Sequence, residues 1–219
     1  LSEAGYLTAL EGLQHEVEGD ARVLGYQEVR SRPEHSLHAA DVVPRAVEFL
    51  RRKHNRPFLL AMGFSEIHRD YRQPGVIPID PARVKVPPFL PDTPAVRQDL
   101  SEFFGMIQTV DRSMAALLDA LDAIGLSRDT LLLFTTDHGA AFPRAKSTLY
   151  DPGMGVTLLA RWPGVITGGG RVSGLTSHVD IAPTLLELAG IPPAPEIQGR
   201  SFARALREPA APLRDAVFA

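Results

Sequence analysis

Cysteine is absent from the 219 residues. Its absence excludes disulfides, thiolate metal sites and a cysteine nucleophile from this stretch. It leaves the compartment open, because oxidising and reducing locations both tolerate a chain without cysteine. Long apolar runs are missing too: none approaches the ~20 residues a membrane-spanning helix needs, and the first residues do not read as a signal sequence. Charge of one sign is also scarce. The 23 Lys and Arg against 26 Asp and Glu give a formal net charge of -3, and the basic residues are scattered. Nucleic acid and membrane surfaces both attract concentrated positive charge, so neither is expected as a partner.

Hydrophobic residues make up 44% of the chain, enough for one domain with a substantial core. Proline is clustered at 74–94 and 192–195, which points to long ordered loops between periodic segments. Leu1–Leu10 reads as a helix end, a turn at Gly5 and a strand from Tyr6, entered in mid-pattern without Met, as at a cut edge. A helix is expected over Asp41–His54, where Val42, Val43, Ala46, Val47 and Leu50 share one face. A second, longer helix is expected over Ala95–Ile124, capped by Asp92 or Thr93 and stopped by Gly125. Phe58–Phe64 and Thr130–Thr136 are almost continuously apolar, the pattern of strands buried on both faces, and Val156–Trp162 reads as a third core strand. Asp180 is placed to cap a helix ending near Gly190. This alternation predicts an α/β fold: a mostly parallel central sheet flanked by helices, without internal repeat or linker.

Several polar residues follow predicted strands. Asp137-His138-Gly139 places two potential metal ligands at a strand end, and its glycine lets the backbone turn away. The plain alternative is a capping Asp beside an exposed His. His68 can donate a proton to a leaving group, and Arg69 can grip an anion with its planar fork, or both are ordinary loop residues. Lys146 and His15 mean little singly. All of them sit after strands, however, and functional groups of such sheets gather beyond the strand carboxyl ends. His35, His38 and His54 read as surface residues, Asp111 as solvated, Trp162 as packing and His178 as shaping the turn before Asp180.

The run Thr130-Leu-Leu-Leu-Phe-Thr-Thr-Asp-His-Gly139, Lys146, Tyr150-Asp-Pro-Gly153 and Leu158-Leu-Ala-Arg-Trp-Pro-Gly164 resembles the sulfatase family. Further matches are Ala4–Leu10 with Gly12 and His15, Arg56-Pro57-Phe58 leading to His68, His178–Leu185, and Gly199-Arg200-Ser201. Val86–Pro94 with Arg97, Asp99 and Leu100, and Phe142-Pro143, are similar to the heparan N-sulfatase (sulfamidase)-like branch.

The resemblance implies an alkaline-phosphatase-like fold, residues 1–219 being the C-terminal-side portion of one catalytic domain. It implies a hydrolase of sulfate esters or sulfamates acting on a sulfated small molecule or glycan, in a periplasmic or secreted setting. Asp137 and His138 correspond to ligands of one divalent cation, with calcium expected. Lys146 corresponds to the Lys that contacts sulfate, His68 to the proton donor near the scissile bond, and His15 to the His that hydrogen-bonds the nucleophile. That nucleophile is a formylglycine made within Cys/Ser-x-Pro-x-Arg, and this motif and two further metal-binding Asp are expected upstream of Leu1. The missing N-terminal segment is thus an expected partner, and the chain alone is expected to be inactive. Leu13 departs from the family, which has Lys there. Two competing functions remain: a phosphate or phosphonate ester hydrolase of the same superfamily, and a non-catalytic binding module.

Overall fold

The computed structural model describes residues 1–31 and 35–218. Three parallel strands form one sheet in the order β2-β1-β3: β1 (Leu7–Gly12), β2 (Glu28–Arg30) and β3 (Phe58–Gly63). β1 and β3 run in register from Leu7 beside Phe58 to Gly12 beside Gly63. Flanked on both sides, β1 is buried from Thr8 to Gly12. β3 is only half-buried along its whole length, not enclosed on both faces as its apolar run implies. The reason is its place at the sheet edge, where no strand among the described residues lies beyond it.

β4 (Leu132–Thr135) has the same character. It pairs with β5 (Leu158–Arg161) in a separate two-stranded sheet, and its other edge carries no strand among the described residues. β5 runs antiparallel to β4, with Leu132 opposite Arg161 and Thr135 opposite Leu158. The architecture is therefore α/β with a parallel sheet and one antiparallel pair.

The helix α1 (Ala39–Arg51) begins two residues before the expected start and ends three before the expected end. His38, its N-cap, makes no side-chain cap bond. Instead the buried Glu66 carboxylate, from the loop after β3, accepts from the Ala39 N–H at 2.9 and 3.0 Å. A carboxylate there also suits the positive end of the helix dipole. His54 lies beyond α1, and Nε2 donates to the Phe49 carbonyl at 2.8 Å. Its ring packs 4.7 Å from that of Phe49 and 5.1 Å from that of Phe58. His54 is thus half-buried packing rather than surface, whereas His38 is exposed.

The long helix α2 (Pro94–Ile124) has the expected limits. Thr93 Oγ1 accepts from Val96 N–H at 3.3 Å, and Gly125 closes the helix in the left-handed region at φ 82°. Asp92 pairs with Arg97 instead of capping. α1 and α2 bury Val43, Ala46, Phe49, Leu50, Leu117 and Leu121 against Ala9 of β1, and Leu60, Met62 and Leu132 pack on the same core. β3 and β4 therefore pack on one core beneath the helices although they do not pair. A second core holds Tyr71, Val84, Leu90, Leu100, Met106 and Phe142, and it orders the proline-rich loop against the start of α2.

The short helix α3 (Asp151–Met154) precedes β5, while α4 (Ile181–Leu188) and α5 (Ala203–Arg207) close the chain. Asp180 stands at the N-cap of α4 as expected, but its side chain makes no cap bond there. Its buried carboxylate accepts from Ser177 N–H at 2.8 Å and Arg200 N–H at 2.7 Å and pairs with Arg214, tying the last segments to α4.

Candidate functional site

The loops after β1, β3 and β4 meet at one rim. Leu13 N–H donates to Gly63 O at 2.8 Å, which holds the end of β1 beside the end of β3. Arg69, from the loop after β3, donates through Nε to Ala141 O at 3.1 Å in the loop after β4. The loops that follow β3 and β4 are therefore in direct contact.

Each loop carries residues expected at a site. His15 is exposed after β1, its N–H on the Glu16 carboxylate at 3.1 Å. Beyond β3, Ile67 is held at φ 71°, a region that a β-branched residue rarely occupies. The exposed His68 follows. Its Nδ1–H donates to Arg69 O, because a carbonyl only accepts. Nε2 thus remains for other work.

Asp137 and His138 follow β4. Asp137 Oδ1 accepts from His138 N–H at 3.0 Å, and His138 Nδ1–H donates to Gly139 O at 2.9 Å. These bonds turn His138 Nε2 to within 3.2 Å of Asp137 Oδ2. Gly139 is required here, because a Cβ would stand 1.9 Å from Pro152 O. Lys146 is half-buried with its N–H on Ala140 O at 3.0 Å, and Arg144 and Ser147 on either side have φ 62° and 64°. Its ammonium has no ion-pair partner among the described residues.

Arg69 is the most heavily bonded group of the rim. It reaches Asp99 of α2 through both terminal nitrogens, at 2.8 and 2.6 Å, besides its bond to Ala141. Its guanidinium carbon lies 4.3 Å from the Tyr71 ring centre and 5.2 Å from that of Phe142. Hydrogen bonding to Asp99, more than any other influence, raises its pKa further. Burial raises the Tyr71 phenol beneath it. Both two-donor edges of the guanidinium, the sequence's candidate anion grip, are thus partly engaged within the protein. His178, expected only to shape the turn before Asp180, also reaches the end of β4, where its Nε2 stands 3.0 Å from Thr135 Oγ1. The His178–Leu185 match marked the segment but not this contact.

Two ligand atoms about 2.3 Å from one cation, at right angles, stand roughly 3.3 Å apart. Asp137 Oδ2 and His138 Nε2 fit that spacing. Among the described residues no third Asp, Glu or His joins them, so the described residues alone do not complete a cation site. His15, His68 and Lys146 share the rim, and no direct hydrogen bond joins their side chains.

The family model described as Sulfatase matches residues 2–191. The chain is 34% identical over 169 residues to N-sulphoglucosamine sulphohydrolase of Homo sapiens, covering 66% of this chain and 34% of that protein. It is 34% identical over 120 residues to an ulvan-active sulfatase of Formosa agariphila, covering 55% of this chain and 20% of that one. The chain thus spans about a third or less of these relatives. A solved structure in complex with its substrate D-glucosamine-2-N,6-O-disulfate superposes with a TM-score of 0.74 at 18% identity, covering 94% of this chain and 63% of the other. That likeness is one of fold.

Proposed function

Since the chain belongs to the sulfatase family, we propose that the protein carrying it hydrolyses a sulfate ester or sulfamate, with a sulfated sugar as the substrate class. The observation that carries this reading is the bond from Arg69 to Ala141, because it gathers the His68, Asp137-His138 and Lys146 loops at one rim. Lys146 presents an unpaired half-buried cation to a tetrahedral anion. His68, with Nδ1 fixed on a carbonyl, offers Nε2 to protonate the departing oxygen or nitrogen. His15 stands on the adjoining loop, where it can hydrogen-bond a nucleophile. Asp137 and His138 would hold a divalent cation, with calcium the expectation, and such a cation would neutralise charge on the sulfate oxygens.

The nucleophile is assigned to polypeptide outside these 219 residues, which contain neither Cys nor Ser-x-Pro-x-Arg. A formylglycine there would supply the attacking oxygen. The half-buried edges of β3 and β4, which carry no strand among the described residues, support this assignment. Unpaired backbone in an apolar strand calls for a partner strand, and both edges rest on one core. The isolated chain is accordingly expected to turn over nothing. Leu13 stands where the family has Lys, leaving one fewer cation for the anion.

The test is turnover by the full-length protein of matched aryl sulfate and aryl phosphate substrates, and of N-sulfated glucosamine. Preference for a sulfur substrate is the expected result. Hydrolysis of the phosphate alone would contradict it, and no turnover of any would favour a binding module.

A further inference from the structure

Arg69 connects three parts of the chain at once. Its backbone directly follows His68. Its two terminal nitrogens hold both oxygens of Asp99 in the second turn of α2. Its Nε holds Ala141 O, midway between Asp137 and Lys146. The Tyr71 and Phe142 rings lie against the guanidinium, and they contact one another at 5.7 Å and Phe103 of α2 at 5.4 Å each. Rotation about the Arg69 side chain is therefore blocked by two hydrogen-bonded partners and two rings.

The side chains of Arg69 and Asp99 remain 44% and 33% exposed, too open for the pair to add much stability. Its consequence is geometric. A planar fork bonded along both edges fixes direction as well as distance. Among the described residues no other hydrogen bond ties the His68 loop to the loop of Asp137 and Lys146 so directly: Tyr71 OH reaches the same Ala141 O only at 3.5 Å.

We infer that Arg69 and Asp99 are a positioning pair, which sets His68 against Asp137-His138 and Lys146 instead of gripping the anion. The inference rests on the site reading above. It assigns Asp99 a role in turnover although it lies outside the rim.

The test compares Arg69→Gln, Asp99→Asn and their double variant in the full-length protein, with an aryl sulfate as the probe. Asp92→Asn is the control, because it breaks another two-point Arg–Asp pair, between Asp92 just before the same helix and Arg97 in it, that does not reach the rim. Misplacing a reacting group by about 1 Å costs roughly 100-fold. Each rim variant should therefore lower kcat by about that factor with KM held within about threefold. The double variant should be no worse than either single one, since both remove one unit. Asp92→Asn should keep wild-type kcat. If Arg69→Gln fails to fold, Arg69→Lys replaces it: it keeps the charge but cannot hold Asp99 and Ala141 together, and the same loss is expected. A rise in KM with kcat unchanged would overturn the proposal, as would full kcat in Asp99→Asn. Wild-type kcat in His68→Ala would instead overturn the site reading on which the pair's role depends.

Discussion

Asp137 Oδ2 and His138 Nε2 stand 3.2 Å apart, and the His138 ring is aimed there by its own Nδ1–H bond to Gly139 O. Side-chain oxygen beside imidazole nitrogen is a mixed donor pair. Oxygen suits calcium, whereas imidazole suits zinc and other transition metals. His138→Asn replaces nitrogen by an amide oxygen, and calorimetric titration of the full-length protein should show calcium gaining on zinc. Asp137→Ala should weaken binding of either cation by more than the roughly 10–100-fold of an outer-shell change. An unchanged calcium-to-zinc ratio in His138→Asn would separate His138 from the cation.

Ile67 occupies φ 71° immediately before His68. Such a conformation costs a β-branched residue on the order of 1–3 kcal/mol, and glycine removes that cost while adding about 0.5–1 kcal/mol of chain entropy. Ile67→Gly should leave thermal stability level or slightly higher. Turnover should fall, because the residue that directs His68 has become free. Equal loss of stability and activity would show that Ile67 acts through packing alone.

How much was legible in the sequence depended on the range of each interaction. α2 was legible at both ends because Thr93, Pro94 and Gly125 are local signals. The places of β3 and β4 were legible too, but their burial was not. An apolar run records what a strand prefers to touch, not which strands pair with it. The cap of α1 was illegible because Glu66 arrives from 27 residues away, and the Arg69–Asp99 pair spans 30. Asp137-His138-Gly139 stood out because strand, candidate ligands and turn are contiguous. His178 did not, since only the tertiary fold brings it to Thr135.

Burial raises the Tyr71 phenol above its ordinary value of 10.0 because it penalises the phenolate. The unfolded chain then releases that proton at lower pH than the folded one. The stability linked to Tyr71 is complete below pH 10 and is lost as pH rises through the folded value. Urea unfolding on either side of that pH should show the fall, and Tyr71→Phe should reduce it without abolishing it, because burial raises Tyr26 as well. An identical pH dependence in Tyr71→Phe would contradict this.

Glu11 ends β1 almost fully buried, with Arg30 at 2.6 Å and Arg45 at 3.2 Å on its two oxygens. Arg30 also reaches Glu48, so the network joins β1, β2 and α1. Removing the carboxylate leaves two partly buried cations facing one another. Glu11→Ala should lose about 3–5 kcal/mol of unfolding free energy. A loss below about 1 kcal/mol would place the pair among exposed, weakly contributing bridges.

The proposed convergence of three loops on one cation and one tetrahedral anion is tested most directly by crystals of the full-length protein grown with calcium and sulfate. Anomalous scattering from calcium should place the ion about 2.3–2.6 Å from Asp137, with His138 in or beside the shell. Sulfate should lie beside it, within hydrogen-bond reach of Lys146 Nζ and His68 Nε2. A calcium peak away from the end of β4, or a sulfate that neither Lys146 nor His68 touches, would contradict the proposed site.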